Sequence, residues 1–532
     1  MKPLQKRSPA ESETSLAGWD SSPIIYEINT WVWLRGLSQK YDREINLANI
    51  PQPEIEELAS YCFDAIWLMG VWHRGRATRQ SALNYIHQYR AALPDITADD
   101  VIGSAYAIQD YRVAAQLGGR GGLAVFREQL KQHNIKLILD YVPNHVATDH
   151  AWIQHRPDYF IQGTAAEAQQ FPQGFFYADT ANGHSVVIAH GRDPYFPPWI
   201  DTSQLNAFHP GLRRASIDTL IDIGSQCDGV RCDMAMLMMN AVFANVWGER
   251  AGAAPAADYW TQVIPAVREI HPQMMFLAEV YWNLEHELQL QGFDYTYDKM
   301  SYDYLINQGL GEIKAHLNAD LSYLESNMRF IENHDEPRAM NTLGEDFQRP
   351  AATLICTLPG ATLLHQGQLT GRRIKLPVQI NRQPEETRHP LLKRFYQRLL
   401  QEVNAPVYHQ GKYYARGLRR RRAEYAPAYG QGKWLMLEAQ PAFEGSHSHH
   451  NLIAYTWNND REYRLIVVNL TYEWSACRLQ LKHWTELKHH DWQLYDVLND
   501  SCTCRQGEDM MKEGLMVEVP PYGSHIFQFR RA

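Results

Sequence analysis

The sequence predicts an α/β fold: a (β/α)8 TIM barrel with a subdomain inserted after strand 3 and a C-terminal antiparallel β-domain. Three observations predict it. Short apolar runs alternate with helical segments up to about residue 405, one long stretch rich in Pro, Gly, His and aromatics interrupts that alternation, and turn-separated strand patterns take over near Pro406. Strands of a parallel sheet are covered on both faces, so they read as nearly continuous apolar runs and not as alternating ones.

A polar leader over residues 1–22, expected to be disordered, precedes a first strand at Ile24–Ile28. Pro53–Tyr61 reads as a helix leading to a second strand, Phe63–Gly70. Leu123, Phe126 and Leu130 form a helical stripe before the third strand, Ile135–Val142. Pro210–Ile223 suits a helix before a strand from Gln226 to Asp233. Tyr259–Ile270 carries Trp260, Val263, Ile264 and Val267 at helical spacing and precedes Met274–Glu279. Met328–Ile331 and Pro359–Leu364 supply the last apolar strands. About eight such candidates favour a closed barrel over an open sheet. No glycine-rich phosphate fingerprint follows the first strand, which argues against dinucleotide binding.

The barrel is therefore expected over 23–145 and 207–405, with the insertion over 146–206 forming an irregular wall beside a cleft. The β-domain is expected over 406–532, on strands such as Leu452–Trp457, Tyr463–Asn469, Trp492–Tyr495 and His525–Phe529.

The 532 residues carry a formal charge of −9, which argues against a general affinity for nucleic acid or anionic membrane. The run Arg419–Arg422, with Arg416 before it, reads as a solvated loop. No apolar segment has signal-peptide or bilayer-spanning length, so a cytoplasmic location is expected. Seven cysteines are too scattered for a disulfide framework. Cys62, Cys227, Cys232 and Cys356 read as small hydrophobes in strand-like stretches. Cys502 and Cys504 lack a second pair, and His447, His449 and His450 read as a polar loop and not as a metal site. The 15 Trp and 29 Tyr provide many flat faces that can stack on sugar rings or simply fill the core.

Four strands end in polar clusters: Asp140-Tyr141-Val142-Pro143-Asn144-His145, Gly229-Val230-Arg231-Cys232-Asp233, Leu277-Ala278-Glu279-Val280-Tyr281-Trp282 and Glu332-Asn333-His334-Asp335. Strand alternation places Arg231 and Asp233 on one face, where the cation keeps the carboxylate ionised. The carboxyl ends of parallel barrel strands open on one side, so Asp233, Glu279 and Asp335 should converge there. Each residue alone has a structural explanation; Asp140, for one, reads as a support for His145 or Arg231. Together, three carboxylates, two histidines and an arginine suit retaining glycosyl transfer, which needs one ionised and one protonated carboxyl.

On these segments the sequence resembles the alpha-amylase family of glycoside hydrolases over its whole length. The resemblance implies Asp233 as nucleophile, Glu279 as general acid/base and Asp335 as the group binding the distorted sugar. It further implies that Arg231 orients Asp233, that His145 and His334 hydrogen-bond the same ring, and that Tyr106 stacks on it. Trp282, beside Glu279, could hold an acceptor sugar. The activity implied is hydrolysis of alpha-1,4-glucan or malto-oligosaccharide. Transfer of glucosyl or maltosyl units to a sugar or phosphate is the alternative, and a non-catalytic glucan-binding protein a minor one.

Departures from the family pattern accompany the match. Met236 and Leu237 stand where many starch-degrading members have Lys-His, Gln204 stands where an Asp is common, and Gly103 replaces a polar or acidic residue used by some exo-acting members. No cofactor is required on this reading. Asn144 is the candidate ligand should calcium bind, although calcium favours charged oxygens that Gln204 does not supply. The expected partner is an alpha-glucan or oligosaccharide substrate, with neither nucleic acid nor membrane.

Overall fold

The computed structural model describes residues 19, 21–409, 433–459 and 461–532. Most of the expected leader and the arginine run at 416–422 lie outside the described residues. Eight strands form the closed barrel: β1 (Ile24–Asn29), β2 (Ala65–Met69), β3 (Lys136–Tyr141), β4 (Gly229–Cys232), β5 (Met275–Ala278), β6 (Tyr295–Tyr297), β7 (Asn327–Arg329) and β8 (Ala361–His365). They pair in parallel in chain order, and β8 closes on β1 with Ile25 opposite Leu363. In β4, Arg231 lies opposite Asp140 of β3 and Leu277 of β5. That register brings the polar strand ends to one mouth.

Every residue of β2, β4, β5 and β8 is buried, which explains their unbroken apolar character. The helix Tyr259–Ile270 covers the barrel with Trp260, Val263, Ile264 and Val267, all at most 1% exposed. Burying such side chains stabilises by about 1.5–3 kcal/mol each before entropy is counted.

Some local expectations fail. β6 was not anticipated, because three residues reading Tyr-Thr-Tyr carry too short a pattern to stand out. β4 and β5 stop one residue before Asp233 and Glu279, so both carboxylates sit on the loops just beyond the strands. Cys356 belongs to a helix, Gly344–Thr357, whose apolar face mimics a strand, and Cys62 is only partly buried.

The insertion is not irregular. It contains an antiparallel hairpin, Phe175–Asp179 with Ser185–Ala189, and a short ladder pairing His145–Ala147 with Thr202–Gln204. Its own small core includes Val146, Ile153, Phe160, Ile188 and Leu205. The loops between these pieces are long, and their pattern hid the short strands.

C-terminal to the barrel lies a six-stranded antiparallel sheet running from Lys433–Leu437 through Ser524–Arg531, with a three-stranded sheet beside it. It docks on the barrel's last helices. Trp457 Nε1 donates to the Thr357 carbonyl at 2.7 Å, and buried Glu402 accepts from Arg464 Nε at 2.5 Å and from Gln528 Nε2 at 2.6 Å. Among the described residues no helix is long and apolar enough to cross a membrane.

Candidate active site

Arg231 is the hub of the barrel mouth. Its side chain is wholly buried, with the guanidinium 5.2 Å from the Trp67 and Tyr106 rings and 5.7 Å from Tyr297. One fork nitrogen, Nη1, lies 2.8 Å from Asp233 Oδ1 and 3.7 Å from Asp140 Oδ1. The other, Nη2, lies 2.8 Å from Glu279 Oε2 and 4.0 Å from Asp335 Oδ2. The Nη2 contact is an ion pair without hydrogen-bond alignment. A single cation thus gathers carboxylates that are remote in sequence, and they flank one small volume.

The surroundings divide the carboxylates. Glu279 Oε2 accepts from the Met234 amide at 2.6 Å and Oε1 from the Tyr281 hydroxyl at 2.8 Å. The Asp233 carboxylate accepts, among the described residues, from Arg231 alone. Burial raises the Asp233 carboxyl, the negative charge of Glu279 raises it further, and Arg231 offsets this only in part. Arg231 alone thus does not keep the Asp233 carboxyl in the ordinary carboxylate range, contrary to the expectation from strand alternation, because burial outweighs the cation. Burial also raises Asp140 to about 6 despite Arg231; it accepts from Trp67 Nε1 and the Gly70 amide, both at 3.2 Å, as a support beneath the site.

Asp335 behaves oppositely. Its side chain is 44% exposed to the cleft, and His334 and Arg231 hold it well below the usual range. His334 Nε2 is 2.9 Å from Asp335 Oδ2 and 2.7 Å from the Tyr106 hydroxyl, while Nδ1 is 2.5 Å from Glu27 Oε1. Burial disfavours the imidazolium, yet these two carboxylates raise it well above an ordinary histidine. A charged chain Glu27–His334–Asp335 results. Glu27 went unnoticed in the sequence, although a charge inside the apolar run Ile24-Ile25-Tyr26-Glu27-Ile28 is the signal that marks it. Tyr281 was likewise missed.

Above this floor lies a cleft of about 710 Å³, lined among others by Tyr106, His145, Trp199, Trp282, Asp335 and Gln379. His145 packs at 5.0 Å from Trp199, and burial lowers it to about 3, so its ring is neutral. Trp282 is in the left-handed region at φ +66° and meets Tyr195 edge-on at 5.1 Å. A non-glycine residue there carries strain of about 1–2 kcal/mol. Arg231 and His334 lie beneath the floor, touching the carboxylates and not the open cleft. Met236 and Leu237 are buried as well, so cleft contacts in that region come from Met234, itself at φ +40°. Gly103 has φ +89°, and a Cβ there would meet the Arg79 amide at 2.8 Å.

The residues around Asn144 do not fit calcium. Gln204 Nε2 donates to Asn144 Oδ1 at 2.8 Å, to the Asn144 carbonyl at 3.0 Å and to the Leu205 carbonyl at 3.0 Å. Three oxygens thus converge on an amide nitrogen, and no carboxylate joins them. Among the described residues no group of three or more His, Cys, Asp or Glu side chains is arranged to hold a metal ion.

Residues 54–391, more than half of the sequence, match the family model described as alpha amylase, catalytic domain. The chain belongs to the alpha-amylase family. Alpha-amylase MalA of Haloarcula japonica is 25% identical over 364 residues, covering 67% of this chain and 45% of that protein. Alpha-amylase 3 of Dictyoglomus thermophilum is 22% identical over 283 residues, covering 48% and 50%. The chain thus spans about half the length of these two relatives. Among solved structures of this family's fold, a noncanonic maltogenic alpha-amylase AmyB from Thermotoga neapolitana superposes with a TM-score of 0.64 at 18% identity, covering 96% of this chain and 99% of that one. A debranching enzyme from Nostoc punctiforme gives 0.62 at 14% identity, covering 96% and 98%. At these identities the likeness is one of fold.

Proposed function

We propose that this alpha-amylase family member is a retaining glycosidase acting on alpha-linked glucans by double displacement. The carrying observation is that Asp233 and Glu279 contact the two fork nitrogens of one guanidinium at the barrel mouth. Asp233 attacks the anomeric carbon, the bond to the leaving oxygen breaks, and Glu279 donates its proton to that oxygen. Water, deprotonated by Glu279, then releases the sugar from Asp233. Asp335, held ionised by His334, accepts hydrogen bonds from ring hydroxyls. Tyr106 and neutral His145 supply the stacking face and the polar edge.

Glu279 is positioned for the acid role by Arg231, the Met234 amide and the Tyr281 hydroxyl. D233N and E279Q should each lower kcat by at least about a thousandfold; undiminished turnover in D233N would refute the reading.

Transfer to an acceptor sugar is the second reading, favoured by the Trp282–Tyr195 aromatic corner beside Glu279, which could hold a sugar in place of water. Products from maltoheptaose separate the two. Only shorter oligosaccharides mean hydrolysis; longer ones mean transfer.

A further inference from the structure

We propose that the cleft is a dead end on its glycone side, so that the enzyme takes its substrate by the non-reducing chain end and not by the chain interior. This rests on the double-displacement reading above. Glu279 protonates the leaving oxygen, so the aglycone departs on the side of β5 and Trp282. In the closed order of eight strands, the loops that follow β8 and β2 stand on the opposite side, flanking β1. The glycone must point toward them.

Those two loops are joined. After β8 the chain crosses in front of β1 and forms an antiparallel bridge, Ile380 with Val101, on the long loop after β2. The Ile102 amide donates to the Gln379 carbonyl at 2.8 Å and the Asn381 amide to the Asp100 carbonyl at 3.0 Å. Ile380 and Val101 are fully buried over Leu93 and Ile96, so the strap has its own apolar backing.

Charges fasten it at both faces. Asp100, 1% exposed, lies 2.9 Å from Arg382 Nε and 2.9 Å from Arg35 Nη2, and Arg382 also reaches Asp95 at 2.9 Å. From below, Arg74 Nη1 donates to the Gly103 carbonyl at 2.6 Å and the Val378 carbonyl at 3.1 Å. Ser104 and Gln379, one from each loop, line the cleft at this end. A glucan running from Trp282 past Asp233 meets this wall, and only a chain that ends there fits.

The test uses nitrophenyl maltoheptaoside with a free non-reducing end and the same compound carrying an ethylidene cap on its terminal glucose. The free compound should be cleaved and the capped one cleaved on the order of tenfold more slowly or worse, since the cap must clash with the wall. Equal rates on both would overturn the dead end while leaving the chemistry intact. No cleavage of either would overturn the chemistry and the dead end together. In R382A, verified as folded by its thermal melt, the strap loses its shared fastening and the capped-to-free ratio should rise severalfold. An unchanged ratio in that folded variant would overturn the strap as the barrier.

Discussion

Glu27 acts through His334 and not on a sugar. It lies 2.5 Å from Nδ1 and is fully buried, while Asp335 occupies the other ring nitrogen. Replacing it by Gln removes one of two negative charges that keep the ring protonated, so His334 in E27Q should titrate closer to an ordinary histidine. Raised folded-state protonation of His334 contributes stability that is complete below about pH 6.5 and is lost as pH rises through the elevated value. E27Q should therefore show a kcat/KM decline beginning at lower pH than wild type, together with a fall of about tenfold at neutral pH. A pH–rate profile superimposable on wild type would remove His334 protonation from the account. Residues of this kind explain the limit of the sequence reading. Asp233, Glu279 and Asp335 announced themselves as charges at the ends of apolar runs. Glu27 lies within such a run and becomes meaningful only when β1 is brought under the loop after β7.

Individual elements were legible when their pattern was long. Tyr259–Ile270 has the bounds that its apolar spacing predicts, whereas three-residue β6 was invisible. Its neighbour Asp298 shows how short elements are secured. That carboxylate caps Lys299–Ile306 through the Ser301 amide at 3.0 Å and lies 3.1 Å from Arg329 Nε and 3.0 Å from His316 Nε2. Burial opposes its charge, but His316 and Arg329 prevail and hold it at about 2. The depressed value supplies about 2 kcal/mol of stability above pH 4, lost as pH falls through the folded value. D298N should lose at least that amount in urea unfolding at neutral pH, and the difference from wild type should shrink in acid. The hairpin of the insertion, with strands of five residues, is hidden instead by the long Pro- and Gly-rich loops around it. Where Gln204 fills the space between Asn144 and Leu205, a chelator should change neither Tm nor turnover; a drop of several degrees on adding EDTA would contradict the amide-filled geometry.

At the scale of the whole molecule, the order barrel, insertion, barrel, β-sheet was readable because each part changes the period of its apolar pattern. The way the parts are fixed to one another was not, since it depends on single buried pairs. Glu402, on the helix Pro390–Val403, is 5% exposed and holds Arg464 of the C-terminal sheet. E402A leaves that guanidinium with Glu462, at 3.2 Å, as its remaining carboxylate and takes the acceptor from Gln528, at a cost of about 1–3 kcal/mol. Calorimetry should then resolve an early transition of the C-terminal sheet that the wild type lacks, and a single unshifted melt would show that the apolar contacts alone hold the two parts together.

Position 103 illustrates how architecture restricts future chemistry. Its left-handed backbone presses against the start of the helix Arg76–Asn84, leaving no volume for even a methyl group. Grafting an acidic anchor there would require displacing that helix first, whereas Ser104 and Gln379, whose side chains already border the hollow, offer room for adaptation to new chain termini.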